Sequence, residues 1–291
     1  MIDKSTVKSS FSKRADTYDK FASFQKEIAN LLLSEIYKRD FFPKNILDIG
    51  SGTGNISINL AENYNFSKIF ACDIAHGMSV FTQGKRNRHS NLYLTTADVE
   101  HLPYPSNFFD LIVSNLMFQW VTDLSKAFAE LHRVIKENGY IYLTTLSEGS
   151  LYELKDSFET ALRGKGSRNQ GAKVSSENKY LTPRTLAPLN PSMGEFHKFN
   201  NGEKLKLLMT SAGFKDIYLE ERDEVRYYPD VETLLKTLKY IGANQSYFAR
   251  SNGMGIKGVI KKMINIYKNK YGTSQGIRAT YRVIFLKGRK Y

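Results

Sequence analysis

The sequence predicts an α/β fold, a mostly parallel sheet of seven strands with helices on both faces and a helical lid. Three observations predict it. The stretch Leu47-Asp48-Ile49-Gly50-Ser51-Gly52-Thr53-Gly54-Asn55 follows an apolar approach at 41–46 and precedes Ile56, Ile58 and Leu60 at helical spacing, so it reads as strand, tight glycine turn, helix. A second apolar strand, 68–73, ends in another acid, Asp73, 25 positions after Asp48. Short apolar runs then alternate with amphipathic stretches as far as Thr145.

In chain order, apolar residues at 18, 21, 24, 28, 31, 32 and 36 recur at spacings of three and four and predict one amphipathic helix over 18–36. Tyr18 and Gln25 put polar heads on or beside its stripe. Strand one carries the glycine turn. Three glycines at alternate positions let the backbone fold back sharply and present bare peptide groups to a ligand. The spacing fails a dinucleotide fingerprint, because the last required glycine falls on Asn55, and fails a P-loop, because no lysine lies between Lys44 and Lys68. Asp48 instead sets a carboxylate where a cationic ammonium group can sit.

Strand two (68–73) is followed by a helix bearing Met78, strand three (91–95) by Asp98, and strand four (108–114) by Asn115-Leu116-Met117-Phe118-Gln119-Trp120. Ligands of open α/β sheets bind outside the carboxyl ends of the strands, so Asp48, Asp73, Asp98 and Asn115 converge on one crevice. A helix over 124–136, closed by Asn138-Gly139, leads into strand five at 140–145. Residues 163–178 are rich in Gly, Ser, Lys and Asn, and 182–191 carry three prolines, the pattern of a mobile insertion over the site. Strands at 214–219 and 279–286 complete the sheet around a helix at 231–241. The expected organisation is a helical cap at 1–40, a cofactor-binding core at 41–150, a lid at 151–212, and the remaining strands with a basic helical segment at 213–291, all one catalytic domain.

Composition narrows the functional classes. With 291 residues, 41% hydrophobic, the chain can bury a full core. No apolar run reaches the roughly 20 residues of a membrane helix, and the N-terminal stretch lacks a secretory core, so a cytoplasmic place is expected. The single Cys72 builds neither a disulfide nor a structural zinc site, and no metal is expected. The net charge of +13 is confined to the end of the chain: after Glu232 there are 13 basic residues and no acid. Such a one-sided field steers an acidic partner, either nucleic acid or an acidic protein.

The Asp-x-Gly-x-Gly-x-Gly pattern at 48–54 resembles motif I of the class I S-adenosylmethionine-dependent methyltransferases, whose fold is Rossmann-like. The resemblance implies that Asp48 lies near the cofactor's methionine amino group and that Gly50, Ser51, Gly52 and Gly54 cradle it. Asp73 then accepts from both ribose hydroxyls, which only a carboxylate can do at once. Met78 lies against adenine, Asp98 takes its amino group, and Ile74, Val99, Asn115 and Leu116 complete the cofactor set.

A narrower resemblance follows from Phe11-Ser12-Lys13-Arg14-Ala15-Asp16-Thr17-Tyr18, from 115–120, from Thr144-Thr145-Leu146-Ser147-Glu148-Gly149-Ser150-Leu151-Tyr152-Glu153-Leu154 and from Leu238-Lys239-Tyr240-Ile241-Gly242-Ala243-Asn244. Together these are similar to the malonyl-[acyl-carrier protein] O-methyltransferases of biotin synthesis. The 163–191 insertion is longer than that resemblance leads one to expect. The implied reaction esterifies the free carboxylate of a malonyl thioester and releases S-adenosylhomocysteine. A carboxylate with a pKa near ~4 is already the nucleophile at neutral pH, so no general base and no catalytic His are expected. Tyr18 is the expected lid or substrate contact, Gln119 and Trp120 shape the acyl side, and an acidic carrier protein bearing malonyl-phosphopantetheine docks on Lys257, Lys261 and Lys262. No arginine is singled out to pair with the malonyl group; Arg133 lies on a surface-patterned helix.

Two other readings share the cofactor residues: a methyltransferase acting on a quinone precursor or another small acceptor, and a cofactor-binding module without turnover. A nucleic-acid methyltransferase fits the basic tail but not the rest. Strand four ends in Ser114-Asn115-Leu116-Met117 rather than Asn/Asp-Pro-Pro-Tyr, and Cys72 lies inside strand two, wrong for a cytosine nucleophile.

Overall fold

The computed structural model describes residues 3–85, 89–166, 199–242 and 256–291. Eight described strands form one mixed sheet in the order β3-β2-β1-β4-β5-β8-β6, with the two-residue β7 paired to β8. The strands are β1 (Asn45–Ile49), β2 (Lys68–Asp73), β3 (Leu92–Thr96), β4 (Phe109–Asn115), β5 (Ile135–Leu146), β6 (Lys215–Tyr228), β7 (Gly272–Thr273) and β8 (Gly276–Arg289). The first five run parallel, and β8 lies antiparallel between β5 and β6. Ile46, Leu47, Leu111, Ile112 and Val113 are all fully buried. Such continuous apolar runs mark parallel strands covered on both faces.

One face is covered by α3 (Ser23–Tyr37) and α4 (Asn55–Asn63), which bring Leu32, Leu33, Ile36, Ile56 and Leu60 onto Ile46, Ile69, Leu111 and Tyr142. The other is covered by α6 (Leu124–Val134) and α8 (Gly202–Ser211), through Phe128, Leu131, Leu205 and Met209. Tyr142 faces the first layer and Ile141 and Leu143 the second, the alternation that a pleated strand imposes. A third cluster joins α7 (Tyr152–Gly166), α9 (Val231–Tyr240) and α10 (Ile256–Tyr271) to Tyr281, Val283 and Phe285 of β8. This helical layer stands beyond the carboxyl end of β5. No helix among the described residues is long and apolar enough to cross a membrane.

The strand order makes a switch point. From β1 the chain moves outward to β2 and β3, then returns to pair β4 on the other side of β1. The helices that follow β1 and β4 therefore lie on opposite faces of the sheet, and the crevice opens above the carboxyl ends of these strands.

Several elements differ from the sequence expectation. The helix expected over 18–36 is two, α2 (Ala15–Phe21) and α3, broken at Ala22 with φ −92° and ψ 29°. Tertiary contacts account for the break. Phe21 stacks on Tyr240 at 4.3 Å while Asp19 pairs with Lys85 of α5 (His76–Lys85) at 2.7 Å, so α2 is held above the crevice as α3 lies on the sheet. An unforeseen helix, α1 (Lys4–Ser12), precedes both, capped by the Asp3 carboxylate, which accepts from Ser5 N and Thr6 N. Helix α6 ends at Val134 rather than Lys136, and Asn138-Gly139 lies inside β5 at an irregularity of its pairing with β4. Asn138 adopts φ 64° there, so the pair turns a strand corner instead of closing a helix. Strands six and eight are 14 residues each, longer than expected, because each is the other's partner from Lys215↔Arg289 to Tyr228↔Ile277. Of the 163–191 insertion, only 163–166 are described, as the end of α7, and Ala243 and Asn244 also lie outside the described residues.

Candidate active site

The glycine turn is built by its backbone. Gly50, Gly52 and Gly54 adopt φ of 69°, 53° and 82°. Gly50 N donates to Cys72 O at 2.8 Å, which ties the turn to the end of β2. A Cβ at Gly50 would stand 2.3 Å from Met117 Cγ, so the turn after β1 and the loop after β4 touch with no room for a side chain. At Gly52 nothing lies within 4 Å. That open space faces the crevice.

The crevice is one main cavity with a smaller annex. Gly50, Gly52, Asp73, Ile74, Met78, Asp98, Val99, Asn115 and Leu116 line the main cavity, as do Tyr18, Gln119 and Trp120. Asp48 and Ser51 line the annex, which shares Tyr18, Gln25, Gly50, Gly52 and Asn115 with it. Gly54 lines neither and is the residue before α4 in the left-handed conformation. The fold thus gathers 14 of the 15 expected cofactor and acyl-side residues around one space. Lys257, Lys261 and Lys262 lie elsewhere, exposed on α10, while Val259, Met263 and Tyr267 of that helix are buried.

Electrostatics give this space its character. Asp48 is 1% exposed, accepts a short hydrogen bond from the Ser57 hydroxyl, and has its pKa pushed up to about 7, chiefly by burial and further by the charge of Asp73. Asp73 is also raised by burial, against the pull of Ala75 N at 2.7 Å and Gly52 N at 2.9 Å. Neither carboxylate makes an ion pair among the described residues. Keeping two acids, one buried and one half-buried, side by side without a cation is costly, and a cationic ligand would offset that cost. Burial and the charges of Asp73 and Asp19 push the Tyr18 hydroxyl upward, so it remains a protonated donor. Cys72 is pushed up to about 12 by burial, which leaves its thiol unreactive.

Other side chains are already committed. Asp98 accepts from Lys4 Nζ at 2.6 Å, and Lys4 also pairs with Glu100 at 2.6 Å, so α1 is latched over the Asp98 side of the cavity. Gln119 donates to Leu116 O at 2.6 Å and accepts from Thr145 Oγ1 at 2.8 Å, which makes it a fixed wall. Asn115 donates to Gln25 O at 3.0 Å and accepts from Thr144 Oγ1 at 2.7 Å. Trp120 meets Phe11 edge to face at 5.6 Å. Arg133 binds Glu130 and the Leu102 and Tyr104 carbonyls, a structural role away from the cavity.

Sequence reasoning missed the contribution of α1, whose Lys4, Val7 and Phe11 line the cavity, and the apolar end formed by Phe24, Phe199 and Tyr281. The signal for α1 was present: a capping Asp3 and apolar residues at 7 and 11, four apart on one helix face. Phe199 and Tyr281 carry no local signal, since only the third helical layer brings them to the crevice.

Comparison with known proteins gives concordant results. The family model described as "Methyltransferase domain" matches residues 47–143. The malonyl-[acyl-carrier protein] O-methyltransferase of Geobacter sulfurreducens is 32% identical over 292 residues, covering 100% of both chains. That of Acetivibrio thermocellus is 30% identical over 296 residues, covering 100% of this chain and 95% of its own. Among solved structures, the YcgJ protein of Bacillus superposes with a TM-score of 0.56 at 14% identity, covering 89% of this chain and 97% of the other. The Haemonchus contortus phosphoethanolamine N-methyltransferase 2 in complex with S-adenosyl-L-methionine gives 0.52 at 17%, covering 90% of this chain and 52% of that one. At these identities the two structures speak to the fold.

Proposed function

The chain belongs to the malonyl-[acyl-carrier protein] O-methyltransferase family, and from that membership we propose that it methylates the free carboxylate of malonyl-[acyl-carrier protein], or of malonyl-CoA, at the start of pimeloyl assembly for biotin. The observation that carries the reading is the composition of the crevice. A glycine-floored half lined by the buried Asp48 and the half-buried Asp73, without a counter-cation among the described residues, opens into an apolar half walled by Phe24, Leu146, Phe199, Leu238 and Ile241. The first half suits a nucleoside bearing positive charge, and the second suits a thioester chain.

S-adenosyl-L-methionine supplies an activated methyl group on a sulfonium sulfur. The residues of the chain bind and orient. Asp48 and Asp73 hold the ammonium and the ribose hydroxyls, Met78 and Val99 flank the adenine, and Asp98 accepts its amino group. The Gly50–Gly52 turn lets the backbone approach closely. The malonyl carboxylate arrives ionised, so the site contributes alignment and exclusion of water rather than proton removal. Residues 1–40 act as the cap, with Phe11 and Tyr18 closing the crevice; of the stretch 151–212 expected as the lid, Phe199 lines the acyl side, whereas α8 belongs to the layer on the sheet. Gln119, fixed at both ends of its amide, and Trp120 form the acyl wall.

The acidic carrier protein docks on the basic outer face of α10, at Lys257, Lys261 and Lys262. Support comes from charge and packing: the outer face of α10 is basic, and the helix packs through its apolar face in the same cluster as α9, whose Leu238 lines the cavity. The expected compartment is the cytoplasm, where carrier protein and cofactor are made.

The test is methyl transfer from labelled S-adenosylmethionine to malonyl carrier protein, malonyl-CoA and a quinone precursor, read as base-labile label on the malonyl thioesters and base-stable label on the quinone precursor. Label on a malonyl thioester is the expected result. Label confined to the quinone precursor, or cofactor binding with no transfer at all, would replace this reading.

A further inference from the structure

A second cavity, of about 180 Å³, opens at the other end of the sheet and takes no part in the crevice. Arg39, Tyr140, Tyr142, Lys287 and Arg289 line it, with Asp216 as its one acid. The register explains their meeting. Tyr140 pairs with Arg289 and Tyr142 with Lys287 across the antiparallel β5–β8 seam, so all four side chains share one face. Arg39, just beyond the end of α3, closes over them. Tyr140 is six residues before Leu146, about 20 Å along the strand from the crevice.

Three features of this cavity call for an anion. The Arg39 and Arg289 guanidinium carbons stand 4.6 and 5.2 Å from the centre of the same Tyr140 ring, and the Lys287 ammonium lies 4.4 Å over Tyr218. None of these three cations makes an ion pair among the described residues. Of the neighbouring acids, Glu35 pairs with Lys38 and Glu220 with Arg222, although both also feel the Lys287 charge, and Asp216, in the lining itself, accepts from the Tyr291 hydroxyl. Finally, two buried polar atoms have no hydrogen-bond partner, Tyr142 Oη in a residue only 3% exposed and Arg289 Nε. Buried donors left unpaired are rare and expensive. Burial raises the pKa of the Tyr142 hydroxyl despite the nearby Arg39, which keeps it a donor.

We propose that this cavity, formed by Arg39, Tyr142, Lys287 and Arg289, is a binding site for a phosphate group, either inorganic phosphate or a small phosphate monoester. Planar guanidinium forks match tetrahedral oxyanions, a lysine adds a point charge, and a tyrosine hydroxyl donates without adding charge. Carboxylate ligands fit less well, because one planar pair of oxygens cannot satisfy donors arriving from both strands and from α3.

The test is isothermal titration of the full chain with inorganic phosphate and, separately, with glycerol 3-phosphate at low ionic strength. Arg39→Gln and Tyr142→Phe each weaken binding about tenfold or more, the size expected for losing a hydrogen bond to a charged ligand. Tyr142→Phe leaves the ligand-free melting temperature unchanged or higher, because the lost hydroxyl has no partner. Both variants keep S-adenosylhomocysteine affinity, so a failure here is separable from any failure of the crevice. Tighter binding of the ester identifies a monoester site, and equal affinities identify a site for phosphate itself. No binding of either probe below about 10 mM, or binding that neither substitution weakens, overturns the proposal.

Discussion

Alanine at Gly50 and at Gly52 should damage the protein in two different ways, although the glycines are two residues apart and both adopt positive φ. At Gly50 the new Cβ would lie 2.3 Å from Met117 Cγ and 2.6 Å from Met117 Cβ, contacts that real Cβ atoms do not make. Met117 sits at the start of a short helical turn, Phe118–Trp120, and cannot yield by rotamer alone because its own Cβ is in the way. The left-handed backbone costs an alanine about 1–2 kcal/mol and the overpacking about 1–3 more, so Gly50→Ala should lose about 2–5 kcal/mol of stability. At Gly52 the φ of 53° suits the left-handed well and no atom lies within 4 Å. Only the backbone cost remains, about 1–2 kcal/mol. The methyl group, however, projects into space shared by the cavity and its annex, where the cofactor is expected to rest. Chemical denaturation and calorimetric titration with S-adenosylhomocysteine measure the two quantities separately. Gly50→Ala should show a markedly lower denaturation midpoint; Gly52→Ala should fold nearly as well as the parent and bind at least tenfold more weakly. Parental affinity in a folded Gly52→Ala protein would show that the turn is not a cradle.

The remaining predictions concern charge. Asp48 has a folded pKa of about 7, above the value near ~3.9 of an unfolded Asp, so the native state holds the extra proton and stability falls as pH rises between those limits. The loss is at most about 4 kcal/mol. Asp48→Asn should remove this slope, stabilise the ligand-free protein at pH 8 relative to the parent, and weaken cofactor binding; urea midpoints at pH 5 and pH 8 that differ equally in both proteins would refute the assignment. Tyr18→Phe should raise a KM by up to about tenfold, with little change in melting temperature, as expected for one lost donor. Charge reversal at Lys257, Lys261 and Lys262 should raise KM for malonyl carrier protein and flatten its salt dependence while leaving malonyl-CoA turnover alone. Unchanged carrier kinetics would place docking on another face.

What the sequence determined by itself was local chemistry whose meaning does not depend on distant partners. Three alternate glycines after an acid specify a turn that only such residues can make, and the strands ending in Asp73 and near Asp98 and Asn115 follow from apolar patterning plus the rule that such sheets bind at their carboxyl ends. The segments at 144–154 and 238–244 already carried the family resemblance. The tertiary structure decided the rest, wherever two stretches far apart in sequence compete for one position. Ala22 breaks a continuous helical pattern because Phe21 must reach Tyr240 and Asp19 must reach Lys85. Asn138-Gly139 bends a strand because β4 and β8 claim the backbone on both sides of it. Lys4 lies over Asp98, 94 residues away, and the cation cavity exists because Arg289 pairs with Tyr140 across a seam joining the middle of the chain to its end. Periodicity and propensity report which face of an element is apolar, but the partner that face meets is set by the topology of the whole sheet.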